Sequence, residues 1–231
     1  VFFDTPEGRV VGAQDISFQI EPGRTTALVG ESGSGKTVSA MSILQLLPYP
    51  VATHSDRSQV LWKGANLLKA TDRTLRGIRG NEISMIFQEP MNALNPVQKI
   101  GDQIAEVFLL HQNVSKSQAW QLAVDMLGEV GIPAAEIRAL DYPHQLSGGM
   151  RQRVVIAMAL ACNPKLIIAD EPTTALDVTT QIDVLVAIKA AIRDTGVAAL
   201  YITHDLAVVA QVADDILVLR GGKKVEYGPT D

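Results

Sequence analysis

The residues with the clearest chemistry form a glycine-rich loop, Gly30-Glu31-Ser32-Gly33-Ser34-Gly35-Lys36-Thr37. The loop fits the pattern G-x-x-x-x-G-K-[ST] and lies between an apolar run and a stretch with helical spacing. Glycines allow backbone N–H groups to converge on phosphate oxygens, and a helix N-terminus adds a favourable dipole for an anion. We expect Lys36 to contact the β and γ phosphates and the Thr37 hydroxyl to ligate Mg²⁺. The loop therefore predicts a site for a nucleoside triphosphate.

A second chemical feature is a pair of adjacent carboxylates, Asp170 and Glu171, at the end of the apolar run Leu166 to Ala169. A parallel strand delivers its C-terminal residues to the ligand crevice of an α/β sheet. We expect Asp170 to hold the metal ion and Glu171 to polarise the attacking water. Because the sequence has no N-K-x-D motif for reading guanine, the pair favours an ATPase over a GTPase. These two motifs alone leave other phosphate-loop enzymes open, including small-molecule kinases.

A second candidate anion site precedes an apolar helical stretch. Ser147, Gly148 and Gly149 stand at the expected N-terminus of that helix, where a serine cap and exposed N–H groups suit a phosphate. One nucleotide does not need two such sites from the same chain. A head-to-tail dimer would place the second site against the ATP of its partner.

Together these motifs resemble those of the nucleotide-binding subunits of ABC transporters, and the resemblance covers essentially the whole chain. Residues 30–37 resemble the Walker A loop, and Leu166 to Glu171 resemble Walker B. Leu146 to Met150 resemble the signature motif, although Met150 stands where most of the family has glutamine. Val38 likewise stands where many relatives carry a hydroxyl. Neither difference removes a catalytic group.

The resemblance extends to single residues. Gln88 resembles the Q-loop glutamine, His204 the switch histidine and Asp177 the D-loop aspartate. The resemblance implies that Glu171, His204 and Gln88 serve catalysis and that Thr37, Gln88 and Asp170 hold Mg²⁺. The ATP contacts that it implies within one chain are Phe3, Gly30, Glu31, Ser32, Gly33, Ser34, Gly35, Lys36, Thr37 and Val38. The contacts that it implies across a dimer are Ser147, Gly148, Gly149, Met150 and Asp177.

The aromatic ring expected to stack on adenine has two candidates, Phe2 and Phe3. Stacking needs only one correctly placed ring, and we favour Phe3. The other interpretation is that both are ordinary strand residues.

Several stretches narrow the resemblance to the ATPases of importers for peptides, glutathione, nickel and peptide antibiotics. These stretches are Gly30 to Lys36, Phe87 to Met91, Leu94 to Pro96, Tyr142 to Gln145 and Ala169 to Asp177. The implied function is an ATP-hydrolysing subunit that powers import of peptides or a related small solute by ATP-driven dimerisation. The alternative is a soluble ABC ATPase that acts as a mechanical switch without membrane partners.

The same resemblance implies a set of partners and a location. The partners are a second ATPase module, as a homodimer, heterodimer or tandem half, two transmembrane permease subunits and, indirectly, an extracytoplasmic solute-binding protein. The location is peripheral, at the cytoplasmic face of the plasma membrane.

The elements that must position these residues alternate along the second half of the chain. Helix, strand, helix, strand, helix and strand follow from about residue 148 to 220, which predicts a parallel α/β sheet. Apolar runs at Val10-Val11, Ile16 to Ile20 and Thr25 to Val29 predict a small N-terminal β layer. The helix after the phosphate loop is expected to end at Pro48. From Val97 to about Leu140 the pattern is helical.

The expected fold class is therefore α/β, a P-loop NTPase of the ABC ATPase type with a RecA-like parallel sheet core. We expect an N-terminal antiparallel β subdomain and an inserted helical subdomain. Residues 1–231 form one ABC ATPase domain in this interpretation, with the core at approximately 1–90 plus 155–231 and the helical subdomain at approximately 91–154. Ser115 and Gln118 have the spacing of a capping box, and Gly131 is a candidate helix C-cap.

Composition excludes several other classes. The chain has 231 residues, of which 47% are hydrophobic and 19% charged, as in ordinary folded domains. A formal net charge of −5 gives no reason to expect nucleic-acid binding. The single cysteine, Cys162, cannot form an internal disulfide, and the longest apolar run, Val154 to Cys162, has about half of the roughly 20 residues that cross a bilayer. Because Val1 stands where a methionine would begin a complete chain, we expect the polypeptide to be longer.

Overall fold

The computed structural model describes residues 1–88, 93–173 and 178–230. The chain divides into two compact units. The first unit contains Val1–Arg79 and Ala199–Asp231, and the second contains Gly80–Ala198. Each unit supplies its own part of the predicted site.

The first unit contains a mixed sheet with the strand order β11-β10-β3-β9. Strand β3 (Thr25–Gly30) runs parallel to β9 (Ala198–Thr203) and to β10 (Asp215–Arg220), and β11 (Lys223–Pro229) pairs antiparallel with β10. Every residue of β9 is buried, as are the first five of β3, because a parallel strand is covered on both faces. The continuous apolar runs seen in the sequence correspond to these strands.

A separate antiparallel sheet opens the chain, with the order β2-β1-β4. Its strands are β1 (Phe2–Thr5), β2 (Gly8–Val11) and β4 (Ala52–Thr53), and a short hairpin of β5 (Leu61–Trp62) and β6 (Ala65–Asn66) follows. The predicted N-terminal β layer is thus present. The parallel core and this antiparallel layer confirm the predicted fold class.

The strand expected over Ile16–Ile20 is not formed, so that part of the prediction was wrong. Side chains of β11 replace the missing strand partner. The Lys224 ammonium donates to the Ser17 carbonyl at 3.0 Å, and the Tyr227 hydroxyl donates to the Gln19 carbonyl at 3.1 Å. The apolar and polar residues alternate as in a strand, but side-chain donors satisfy the backbone.

The helices of the first unit are α1 (Lys36–Ile43), α2 (Asp72–Ile78) and α8 (Leu206–Val212). Helix α1 ends earlier than the expected stop at Pro48. Leu44 is its C-cap, and Gln45 adopts a left-handed conformation with φ 49. The Arg79 guanidinium donates to the carbonyls of Leu44 at 2.8 Å and Gln45 at 2.9 Å. A distant arginine therefore completes the helix end.

The second unit combines a parallel strand pair with helices. Strand β7 (Ile83–Ile86) pairs with β8 (Leu166–Asp170). The helices are α3 (Ile100–His111), α4 (Lys116–Glu129), α5 (Ala135–Arg138), α6 (Gly148–Leu160) and α7 (Val178–Thr195). Helices α3 and α4 pack together through residues spaced four apart, such as Ala119 and Ala123, which are fully buried. Within the described ranges, no helix has both the length and the apolar character required to cross a membrane.

The predicted capping box at the start of α4 is confirmed. The Ser115 hydroxyl accepts from the Gln118 backbone N–H at 3.3 Å, and the Gln118 side-chain oxygen accepts from the Ser115 N–H at 2.8 Å. Gly131 follows the C-cap residue Val130 with φ 77, the conformation typical of a glycine just past a helix end.

We predict that Ser115→Ala lowers the free energy of unfolding by about 1 kcal/mol, because the Gln118 backbone N–H loses the hydroxyl that accepts its hydrogen bond. Ser117→Ala is the matched control, since Ser117 is exposed in the same turn and does not cap the helix. Chemical denaturation of both variants measures the difference. Equal stabilities of the two variants would contradict the capping role.

Candidate nucleotide-binding and catalytic site

The phosphate loop follows β3 and is shaped by glycines in conformations that other residues rarely adopt. Gly30, Gly33 and Gly35 have φ angles of 155, 76 and 92. A Cβ on Gly30 would collide with the backbone carbonyl of Leu219 and would lie 2.5 Å from the Ser34 hydroxyl oxygen. Gly30 is therefore required both for its backbone angle and for the close approach of β10.

Lys36 is held over this loop. Lys36 is only 5% exposed, and its ammonium group donates to the carbonyls of Gly30 at 2.7 Å and Glu31 at 3.0 Å. The Ser34 hydroxyl is buried, and within the described residues it has no hydrogen-bond partner. A buried hydroxyl without a hydrogen-bond partner costs free energy, and a phosphate oxygen could accept a hydrogen bond from it. The loop thus fits a triphosphate, with Thr37 and Val38 in the first turn of α1 beside it.

His204 lies at the same edge of the sheet as the phosphate loop. In the parallel pairing of β3 and β9, Val29 is opposite Thr203, so Gly30 and His204 follow paired residues. Neighbouring strands are about 4.8 Å apart, which puts His204 beside the start of the loop. The side chain of His204 is exposed. The first unit therefore brings the predicted phosphate loop and the predicted switch histidine together.

Two neighbours of His204 fix its backbone, and our sequence analysis gave them no role. The Thr203 hydroxyl accepts from the Asp205 N–H at 3.0 Å, which closes a turn around His204. The Asp205 carboxylate accepts from the Ala207 N–H at 2.8 Å and caps α8. Serine, threonine and aspartate next to a predicted helix start are the signal that would have identified these residues.

Phe3 and Phe2 have different surroundings because successive strand residues point to opposite faces. A Cβ on Gly12 would lie 2.6 Å from the Phe3 ring and 3.3 Å from a methyl group of Val38. The Phe3 ring is therefore close to the first turn of α1. Phe2 instead has the Arg9 guanidinium 5.6 Å from its ring centre. This placement supports Phe3 as the ring nearest the phosphate loop, and its contact with adenine stays a prediction.

The acidic residues are in the second unit, at the carboxyl end of the β7 and β8 pair. Asp170 ends β8 and is only 4% exposed. Gln88 and Glu171 follow the two strands, and the Gln88 amide nitrogen donates to a Glu171 carboxylate oxygen at 3.3 Å. Glu171 has φ 45, a left-handed backbone that costs free energy for a residue with a side chain. Strain of this kind is concentrated at functional sites.

The signature residues form the N-terminus of α6, as the sequence predicts. Ser147 is the N-cap, and its hydroxyl accepts from the Met150 N–H at 3.3 Å. Gly148 and Gly149 have no side chain to cover the first turn, and both are partly exposed. A 13-residue helix that begins in this way presents backbone N–H groups and the positive end of its dipole.

Some predicted residues are not described. Asp177 lies outside the described residues, as do residues 89–92 and 174–176 of the importer-like stretches. The described site residues form two sets, each within one unit. Phe3, the phosphate loop and His204 belong to the first unit, and Gln88, Asp170, Glu171 and the start of α6 belong to the second.

Other reactive side chains have structural surroundings. Burial raises the pKa of the Cys162 thiol, which points to the Val107 carbonyl at 3.9 Å. Burial lowers the pKa of His54, whose ring nitrogen lies 3.4 Å from the Tyr49 hydroxyl. Across the described parts of the chain, no three histidine, cysteine, aspartate or glutamate residues are grouped as a metal site.

Comparison with known proteins decides the family. A family model described as "ABC transporter" matches residues 13–174. This chain belongs to the ABC transporter family. The matched range contains the phosphate loop, Gln88, the start of α6, Asp170 and Glu171, while His204 lies beyond it.

Two curated relatives from Bacillus subtilis (strain 168) match nearly the whole chain. The oligopeptide transport ATP-binding protein OppD is 48% identical over 100% of this chain, which spans 64% of that protein's length. The dipeptide transport ATP-binding protein DppD is 50% identical over 99% of this chain, which spans 68% of its length. The chain thus corresponds to about two thirds of each relative.

A solved structure has the same architecture. The ATP-binding cassette MJ0796, a dimer in a post-hydrolysis state bound to ADP and Pi, superposes with a TM-score of 0.86 and 26% sequence identity. The superposition covers 100% of this chain and 95% of that chain. The fold is therefore that of an ABC ATPase cassette.

Two glycine substitutions in the phosphate loop distinguish the cost of a positive φ angle from the cost of a steric clash with a neighbouring strand. We predict that Gly33→Ala lowers the free energy of unfolding by about 1 kcal/mol, since φ is positive but no atom lies near the new Cβ. Gly30→Ala is expected to cost about 3 kcal/mol, because the Cβ also meets Leu219 and Ser34. Chemical denaturation measures both values. Similar losses for the two variants would contradict the close approach.

Proposed function

We propose that this chain hydrolyses ATP as the nucleotide-binding subunit of an ABC importer, and that hydrolysis powers uptake of peptides or a related small solute. The observation that carries the proposal is the contact between Gln88 and Glu171, 3.3 Å long, beside the buried Asp170. A carboxylate held at the end of this strand pair can accept a proton from the attacking water.

The residues of the chain divide the work of hydrolysis. Lys36 and the loop N–H groups bind the phosphates, and Glu171 orients and polarises the attacking water. Mg²⁺, when bound, offsets the charge that develops on the phosphates. Thr37, Gln88 and Asp170 would hold it, since hydroxyl, amide and carboxylate oxygens are the ligands that Mg²⁺ prefers. The Gln88 amide can serve both roles, because its nitrogen donates to Glu171 and its oxygen is the kind of atom that ligates Mg²⁺.

A second ATPase module completes each site in this proposal. Ser147, Gly148, Gly149 and Met150, together with Asp177, contact the ATP held by the partner module in a head-to-tail dimer. The dimeric state of MJ0796 supports this arrangement. His204, at the edge where the phosphate loop begins, senses the γ phosphate. Loss of that phosphate separates the modules and delivers the movement to the membrane partners.

The transport role follows from the relatives. OppD and DppD are named for oligopeptide and dipeptide transport, which supports a peptide cargo over a switch without membrane partners. The proposed partners are two permease subunits and, indirectly, a solute-binding protein outside the cytoplasm. The proposed location is the cytoplasmic face of the plasma membrane, to which the chain binds peripherally.

Glu171→Gln tests the catalytic assignment. We predict that phosphate release falls at least about 100-fold because the amide cannot accept a proton from water. ATP affinity is expected to stay within about threefold, since the phosphates are bound by other residues. Glu129→Gln, at an exposed position in α4, is the matched control and retains activity. Unchanged turnover in Glu171→Gln would exclude Glu171 as the base.

The same two variants test the transport role when each replaces the chromosomal copy in the source cells. Uptake of labelled peptides is expected to fall to background with Glu171→Gln and to remain normal with Glu129→Gln. Normal peptide uptake with an inactive ATPase would show that the ATPase does not power that process.

Phe3→Ala and Phe2→Ala test the adenine contact. We predict that Phe3→Ala weakens ATP binding by about tenfold, the loss expected when one base loses its stacking partner. Phe2→Ala is expected to change ATP affinity less than about twofold, because Phe2 contacts Arg9 on the other face of the strand. Titration with a fluorescent ATP analogue measures both affinities. The reverse order would assign the contact to Phe2.

A further inference from the structure

A side chain of α6 holds the C-terminal end of α4. The Arg153 guanidinium, through Nη1, donates to the backbone carbonyl of Val130 at 3.1 Å and to that of Gly131 at 3.3 Å. The last carbonyls of a helix have no partner within the helix, and a cation is favourable there. We refer to these three residues as the Arg153 clasp.

Gly131 is fitted to this contact in two ways. Its φ of 77 is one that residues with a side chain rarely adopt. A Cβ at this position would also lie 2.6 Å from Nη1 of Arg153, which is closer than such atoms approach. The glycine therefore provides the turn after α4 and the space into which the guanidinium fits.

The clasp acts on the helix that begins with the signature residues. Ser147 and Arg153 are six residues apart in α6, or about 9 Å along the helix axis. Because a helix of this length moves as a rod, a shift at Arg153 moves its N-terminus as well. The glycines at positions 148 and 149 have no side chains that could anchor that end.

Other contacts in this stretch of α6 are less directional. Val154, Val155 and Ile156 are buried, and the stabilisation that comes from apolar burial is not directional. Gln152 is fully buried, and its amide makes no hydrogen bond to any described residue. Arg153 supplies two directional hydrogen bonds in this turn of the helix.

We propose that Arg153 is a positioning residue for the signature motif. By fixing α6 to the end of α4, it holds Ser147, Gly148 and Gly149 where they meet the ATP of a second module. This role rests on the proposed function, because it concerns the contact made across the dimer. It does not concern ATP binding by a single chain, since the phosphate loop belongs to the first unit.

Arg153→Gln in the full-length protein tests this role, with Arg138→Gln as the matched control. Arg138 is also in the second unit, but it pairs with Asp141 in its own turn at 2.8 Å. Three quantities are measured: ATP affinity of the dilute single chain, ATP-driven association in the Glu171→Gln background, and kcat. We predict for Arg153→Gln an association about tenfold weaker and a kcat reduced about tenfold, with single-chain ATP affinity changed less than about twofold. Arg153→Lys, which keeps a charged donor, is expected to restore part of the association.

Gly131→Ala provides an independent variant, because it displaces the guanidinium from the other side of the contact. It is expected to weaken association without weakening single-chain ATP binding, and the double variant with Arg153→Gln is expected to add little. If Arg153→Gln does not fold, Arg153→Lys and Gly131→Ala give the same comparison. If Arg153 only stabilised the fold, the variants would have a lower melting temperature, and their association and ATP affinity would change together.

Two results would overturn the positioning role while leaving the proposed function intact. One is association in Arg153→Gln and Gly131→Ala equal to that of Arg138→Gln. The other is a parallel loss of ATP affinity and association in the folded variants. A wild-type chain that binds ATP but never associates would instead overturn the proposed dimer mechanism, and the positioning role with it.

Discussion

The phosphate loop of the first unit can form only because its backbone packs directly against the backbone of neighbouring segments. Gly30 allows contact with the Leu219 carbonyl of β10, and a Cβ on Gly35 would lie 2.5 Å from the Gly12 carbonyl. Gly222 adds a hydrogen bond from its N–H to the Ser34 carbonyl at 3.2 Å. Two distant segments, the β10–β11 hairpin and the chain around Gly12, therefore surround one loop. The loop can remain open to phosphates because its shape is set by these segments rather than by its own side chains.

The second unit holds two adjacent carboxylates at the end of a buried strand. Burial of β8 fixes the position of Asp170, and the left-handed backbone at Glu171 turns the chain away directly afterwards. The Gln88 amide donates a hydrogen bond to the Glu171 carboxylate and so helps to orient it. A strained backbone beside a rigid strand is a common way to direct a catalytic side chain. In both units, residues of the predicted site lie at strand ends.

Local signals in the sequence predicted much of this arrangement. Buried parallel strands appear as continuous apolar runs, and the Ser115 capping box depends only on residues three apart, so both could be predicted. The failures came from long-range contacts. The Arg79 guanidinium binds the carbonyls at the end of α1, which ends before Pro48. The side chains of Lys224 and Tyr227 donate to backbone carbonyls of the segment expected to form a strand at Ile16–Ile20. The clasp between Arg153 and Gly131 joins residues that no spacing rule connects. Contacts of this kind depend on the folded topology and not on neighbouring residues.

We propose that ATP hydrolysis by this chain drives peptide import through membrane partners. The most direct measurement is purification of the full-length protein from native membranes in mild detergent, with identification of the copurifying proteins by mass spectrometry. We expect two multi-span membrane proteins together with a solute-binding protein that carries a bound peptide. Recovery only in the soluble fraction, together with ribosomal or DNA-repair proteins, would contradict the transport role.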